Sequence, residues 1–301
     1  MANFLLIGIC IVAGMLFRRS KLLPIDAHKG INAWIIYLAL PAVSLHYIPK
    51  IKWSTDLLIP AVAPVLVWVV AWLYVRGYAS FNKLSKPAEG GLKLSAGLSN
   101  TAFVGFPLVA AWFSEKHIGI AVICDQVTFL LLTTAGIIVA MNSSEGHSLR
   151  LSVLIRRLFS FPPFLGCMAA LIIPNFISLE PIDPLFEKLA GTVAPLALFS
   201  IGLQLQFKGW KEDIKHISFA LLYKLWLAPL LVLLLALLIN AKGDTARIAV
   251  FEMAMPTLVT AGIVAEQYNL RPTLSSRVIG IGIVLSFITT AIWYYIITSL
   301  L

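Results

Sequence analysis

Ser99-Asn100-Thr101-Ala102-Phe103-Val104-Gly105-Phe106-Pro107 lies inside an apolar run long enough to cross a bilayer, yet it carries an amide, hydroxyls, glycine and proline. Such a helix is expected to break. In hydrocarbon every backbone N–H and C=O needs a partner, so interrupted helix at membrane depth is tolerated only where it packs in protein or lines a wet cavity. A second stretch of the same character follows later, Glu252-Met253-Ala254-Met255-Pro256-Thr257-Leu258-Val259-Thr260-Ala261-Gly262. The remaining chain reads as a frame around these two.

The 301 residues are 59% hydrophobic and 12% charged, with mean hydropathy +0.91. Ordinary globular domains are far less apolar, so the sequence specifies an integral membrane protein. The net charge of +9 comes from basic residues clustered between apolar runs, without a zinc-finger or RNP-type motif, which points to membrane topology and not to nucleic acid. Cys10, Cys124 and Cys167 all fall within apolar runs without metal-ligand or CxxC spacing, so they read as packing groups. At the start, Arg18, Arg19 and Lys21 follow the apolar run to Phe17, the reverse of a cleaved signal peptide, so a first membrane helix is expected there.

A spanning helix needs about 20 apolar residues. Ten such runs are predicted, at 2–17, 31–48, 57–76, 92–113, 118–141, 158–178, 188–207, 217–240, 246–267 and 276–300. Alternate linkers differ in charge: the odd-numbered ones hold sixteen Lys and Arg, the even-numbered ones six, and Lys224 is left inside a helix. Cytoplasmic loops carry the excess, so both termini are expected outside. Pro41 in the second run has a counterpart in Pro195 of the seventh, an offset of 154 that also carries Ser99 to Met253. Two halves of five helices, 1–157 and 158–301, would thread the membrane in opposite senses, because five is odd. That is an inverted repeat, and interrupted segments at corresponding positions point to a midplane binding site.

Gly97 to Pro107, the Leu38-Ala39-Leu40-Pro41-Ala42 of the second run, the Ala197-Leu198-Phe199-Ser200-Ile201-Gly202-Leu203 of the seventh and the Met255-Pro256 break together resemble the auxin efflux carrier family over essentially the whole chain. The resemblance implies an all-α fold of ten transmembrane helices in two inverted five-helix repeats, shared with the bile acid sodium symporters, in which helices four and nine unwind and cross. It also implies transport of small organic anions such as auxin, malonate or malate. Only about residues 142–157 stand where plant carriers often have a large loop, so the chain looks like a bacterial member of the inner (plasma) membrane. The resemblance is compatible with a homodimer.

At two broken helices, half-helix N-termini suit a carboxylate and freed carbonyls suit a cation. Asn100, Thr101, Pro256 and Thr257 are the expected substrate-binding residues. Ser99, Asn100, Asp125, Thr128 and Glu252 are the expected cation-coupling set, with sodium as one cation that their oxygens would suit. Gly105, Pro107 and Pro256 are the expected helix-breakers.

Glu252 and Asp125 are acids inside spans, where a charge costs on the order of 3 kcal/mol on insertion scales, so each needs a partner, a proton or a cation. Glu252 resembles the sodium-binding glutamate of the bile acid symporters, although Pro256 stands where those typically have glutamine. A salt bridge from Glu252 to Lys224 or Arg247 is the structural alternative. For Asp125 the alternative is hydrogen bonding to the broken helix. Lys224 either neutralises these acids and attracts the anion or snorkels to the interface. His46 is expected at the interface.

No catalytic residues or cofactor are expected. The sequence lacks a GxxxxGK[ST] loop for an ATP-driven pump and the HExxH and GxSxG motifs of intramembrane enzymes. An uncoupled electrogenic uniporter and a solute channel stay open as alternatives to a cation-coupled carrier.

Overall fold

The computed structural model describes residues 2–144, 159–205 and 210–301. Arg150, Arg156, Arg157 and Lys208, and the expected linker and helix start around 145–158, lie outside the described residues. The described chain is all helical, apart from one isolated antiparallel bridge between Ser99 and Thr257. In chain order the helices are α1 (Ala2–Ser20), α2 (Ala27–Lys50), α3 (Thr55–Asn82), α4 (Lys86–Gly97), α5 (Thr101–Trp112), α6 (Glu115–Ser143), α7 (Pro162–Asn175), α8 (Glu180–Gln204), α9 (Lys211–Leu238), α10 (Asp244–Met253), α11 (Val259–Gln267) and α12 (Pro272–Leu300). Seven of these, α1, α2, α3, α6, α8, α9 and α12, are long and apolar enough to span a membrane. The runs expected at 92–113 and 246–267 are each two helices, α4 with α5 and α10 with α11.

Prolines shape the long helices from within. A proline inside a helix lacks its N–H and crowds the carbonyl four residues back, so the turn before it must widen or kink. Wide π-type turns at Ile35–Ala39, Thr101–Gly105 and Tyr223–Leu227 each end two residues before a proline: Pro41, Pro107 and Pro229. The carbonyl that Pro229 deprives is that of Leu225, and the Trp293 indole Nε1–H donates to it at 2.8 Å. An orphaned carbonyl in an apolar interior is costly, and here a side chain from α12 satisfies it.

The chain forms two compact units, each drawn from three stretches. One comprises Met1–Trp53, Ala102–Val122 and Phe159–Leu205. Within it α1 lies against α8 so closely that a Cβ on Gly14 would meet the Phe199 carbonyl and one on Gly202 would meet that of Ile11. Glycine is therefore required at both positions. Arg18 Nη1 donates to the Leu203 carbonyl at 2.6 Å, capping the last turn of α8 with a cation that its dipole favours. Pro41 packs on Gly166 of α7. Ser200 Oγ donates to Asn32 Oδ1 at 2.6 Å, and Asp183 pairs with His46 Nδ1 and with Lys50 Nζ, each at 2.7 Å. His46 thus joins the end of α2 to the start of α8.

The second unit comprises Ser54–Thr101, Ile123–Leu158 and Gln206–Leu301. Its core includes Trp68 against Gly97, Tyr74 stacked on Phe219, and Tyr223 Oη donating to the Val67 carbonyl at 2.6 Å. Arg271 and Arg277 both bind the buried Asp213, at 2.8 Å and 2.5 Å, tying the start of α9 to the start of α12. Both helix breaks meet in this unit.

Candidate functional site

The helical ladder stops at Gly97 and resumes at Thr101, and on the other side it stops at Met253 and resumes at Val259. The groups released by one break bind those released by the other. Asn100 N–H donates to the Pro256 carbonyl at 2.8 Å, and Leu258 N–H donates to the Leu98 carbonyl at 3.0 Å. Between them Ser99 faces Thr257 in a two-stranded antiparallel contact. Thr257 Oγ1 adds a 2.6 Å bond to the Ser95 carbonyl, one of the last acceptors of α4. The interruption is therefore a built joint, with its backbone satisfied as an apolar medium demands.

The expected substrate residues Asn100, Thr101, Pro256 and Thr257 come together at this joint and are all buried. Two of their hydroxyls already have work: Thr257 bonds Ser95, and Thr101 Oγ1 donates to Asp125 Oδ1 at 2.6 Å. Of the expected cation set, Ser99, Asn100, Asp125 and Glu252 are each 0–1% exposed. Thr128 is also buried, but its hydroxyl bonds the Cys124 carbonyl one turn back on its own helix at 2.8 Å. Gly105 and Pro107 lie further along α5, where Pro107 accounts for the wide turn that starts at Thr101.

Lys224 decides the electrostatics. It is 0% exposed, and its Nζ lies 2.6 Å from Ser99 Oγ and 3.2 Å from the Met253 carbonyl. Snorkelling is thus excluded: the ammonium points inward, at the joint. It reaches there from the wide turn that Pro229 imposes on α9. Ser99 Oγ in turn donates to Met253 Sδ at 3.8 Å. Glu252 lies within electrostatic reach of both Lys224 and Asp125, which makes an electrostatic row of the three buried groups. Both Glu252 oxygens and Asp125 Oδ2 are buried without a hydrogen-bond partner. The alternative partner, Arg247, instead bonds Asp244 at 3.4 Å.

The weight of Lys224 was only partly legible in the sequence. It is the one basic residue deep inside a predicted span, five residues before a proline, but nothing in the linear pattern says which way its side chain turns. Ser95 and the Met253 carbonyl left no signal at all.

The family described as membrane transport protein matches residues 1–294. This chain belongs to that family. It is a membrane transporter and not an enzyme, in agreement with the resemblance to the auxin efflux carriers. An uncharacterized transporter of Methanocaldococcus jannaschii is 25% identical over 305 residues, covering 98% of each chain. A Rhizobium meliloti protein bearing the name "Putative malonate transporter" is 27% identical over 288 residues, covering 92% of this chain and 89% of its own. Auxin efflux carrier component 8 of Arabidopsis thaliana is 28% identical over 122 residues, covering 39% of this chain and 32% of its own.

Proposed function

We propose that this transporter is a secondary carrier of a small carboxylate, which it binds at the joint between the two broken helices and exposes to either side in turn. The observation that carries the reading is the ammonium of Lys224, buried at the paired breaks beside the expected substrate residues Asn100, Thr101, Pro256 and Thr257. A charge held at such depth is functional by default, and this one is positive where an anion must bind. The malonate-named relative, similar over nearly its whole length, supports a carboxylate as cargo.

The fold behind this is ten spans in two inverted repeats, 1–157 and 158–301, counting α4 with α5 and α10 with α11 as one interrupted span each. Two observations support it. Ser99 and Met253, related by the 154-residue offset, touch each other, as residues on a two-fold axis do. Shifting 1–53 by that offset gives 155–207, which brackets Phe159–Leu205, the other long stretch of the same compact unit. The charge of the linkers supports an orientation with both termini outside, in an inner (plasma) membrane.

Of the coupling ions that the site oxygens suggest, a proton fits better than sodium. A sodium ion needs several free oxygens. Here the oxygens without a hydrogen-bond partner are both of Glu252 and Oδ2 of Asp125, because Ser99 Oγ and the Met253 carbonyl face an ammonium, Asp125 Oδ1 accepts from Thr101 and Thr128 bonds its own helix. That ammonium would repel a metal cation held at Glu252, whereas a proton neutralises a carboxylate outright.

The test is counterflow of labelled malonate in proteoliposomes, with a panel of other carboxylates as competitors. Saturable exchange that Asn100→Ala abolishes in a correctly folded protein upholds the reading. A linear, non-exchanging flux would make the protein a channel, and exchange of wild-type rate in Asn100→Ala would remove Asn100 from the site.

A further inference from the structure

Charge in the buried row does not balance. Lys224 donates toward two oxygens, Ser99 Oγ and the Met253 carbonyl, and as an ammonium it brings one positive charge into the row. Were Glu252 and Asp125 both ionised beside it, the row would carry one net negative charge with each of the three side chains 0–1% exposed. An isolated charge in such surroundings costs several kcal/mol, and the usual relief is neutralisation. The hydrogen bonds agree. Three of the four carboxylate oxygens, both of Glu252 and Oδ2 of Asp125, are buried without a donor, an arrangement that disfavours two carboxylates and accommodates one acid proton.

Among the described residues no other charge offsets the imbalance. Glu252 stands on α10, which packs against α3, α9 and α12. The buried faces of α3 and α12 bear no titratable side chain. From α9 come Lys224 and Tyr223, and the Tyr223 hydroxyl is bound to Val67. From α6 come Asp125 and the thiol of Cys124. The next buried cation in this unit, Lys93, is paired with Glu89 at 2.6 Å and sits over the Trp72 ring.

We propose that Glu252 and Asp125 form a shared proton site: at rest the pair holds one proton and balances Lys224, and a carboxylate entering against Lys224 draws in a second. The carrier therefore moves its anion together with a proton. This rests on the carboxylate reading above and adds the residues that bind the coupling proton and its link to the anion. Linkage gives the sign. An anion beside Lys224 takes over the countercharge that the acid pair supplied, so the remaining carboxylate is left unbalanced and its protonated form is favoured. Low pH on one side thus favours loading from that side.

Two measurements decide it. Infrared spectroscopy of purified wild-type protein at neutral pH should show the C=O stretch of a protonated carboxyl. Glu252→Gln or Asp125→Asn should remove it, since a single acid then remains to balance the one charge of Lys224. Loss of the band in either variant upholds the resting proton. Absence of the band from the wild type, or its persistence in both variants, overturns it, and the wild-type spectrum decides even if a variant fails to fold. In proteoliposomes clamped at zero membrane potential, labelled malonate should accumulate in the alkaline lumen by about tenfold per pH unit above protein-free vesicles, the ratio for one proton per anion. Saturable counterflow with a flat accumulation ratio would overturn the coupling and leave the carboxylate reading standing. Absence of counterflow with every carboxylate would overturn that reading and the second proton with it, while the infrared band still decides the first.

Discussion

Lys224 shows how a single buried charge organises its neighbours. Its hydrogen bonds to Ser99 and the Met253 carbonyl span both helix breaks, so the same group that would attract an anion also holds the joint together. Hydrogen bonds to charged groups contribute about 1.5–3 kcal/mol. Lys224→Met should therefore raise the KM for malonate by about tenfold or more, read from initial uptake rates in proteoliposomes. An unchanged KM would mean that the ammonium serves the joint alone. Thr257→Val keeps the shape of the side chain and removes the donor to the Ser95 carbonyl. It should destabilise the protein by about 1–3 kcal/mol, the cost of a buried acceptor left unsatisfied, measured as a lower thermal midpoint in detergent. A midpoint equal to that of the wild type would show that the backbone pairing suffices without the hydroxyl.

Among the elements, prolines do more than interrupt. Pro41, Pro107 and Pro229 each follow a wide turn by two residues, and two of those turns carry Thr101 and Lys224 to the joint. The widened turn frees a carbonyl, and Trp293 shows how the fold deals with one. Trp293→Phe preserves most of the apolar contact and leaves the Leu225 carbonyl without that donor. The expected result is a loss of about 1–3 kcal/mol, again read as a lower thermal midpoint. The breaks themselves were readable from Asn100 and Pro256, because polar and helix-breaking residues within an apolar run admit few structures in hydrocarbon. The wide turns were not. A proline announces a distortion, while its form depends on which neighbour can satisfy the freed carbonyl, and Trp293 lies 68 residues from Leu225.

At the level of the whole molecule, the asymmetry of Lys and Arg among linkers supports an orientation that thiol labelling can check. A cysteine in place of Lys83, between α3 and α4, should be shielded from a membrane-impermeant reagent in intact cells, and one in place of Lys242, between α9 and α10, should react. The reverse pattern would invert the topology. Hydropathy and the two polar interruptions determined by themselves that this is a helical membrane protein broken near Ser99 and Pro256, and the resemblance carried by its motifs made it a transporter. These are local properties: the bilayer demands apolar length and satisfied backbone of each segment wherever the others lie. Only the tertiary structure decided that the two breaks bind each other, that Lys224 turns inward, and that Glu252 lies within electrostatic reach of both Lys224 and Asp125. Those contacts join residues 29 to 162 positions apart. The energy of a buried charge depends on what surrounds it, and no pattern along the chain specifies that.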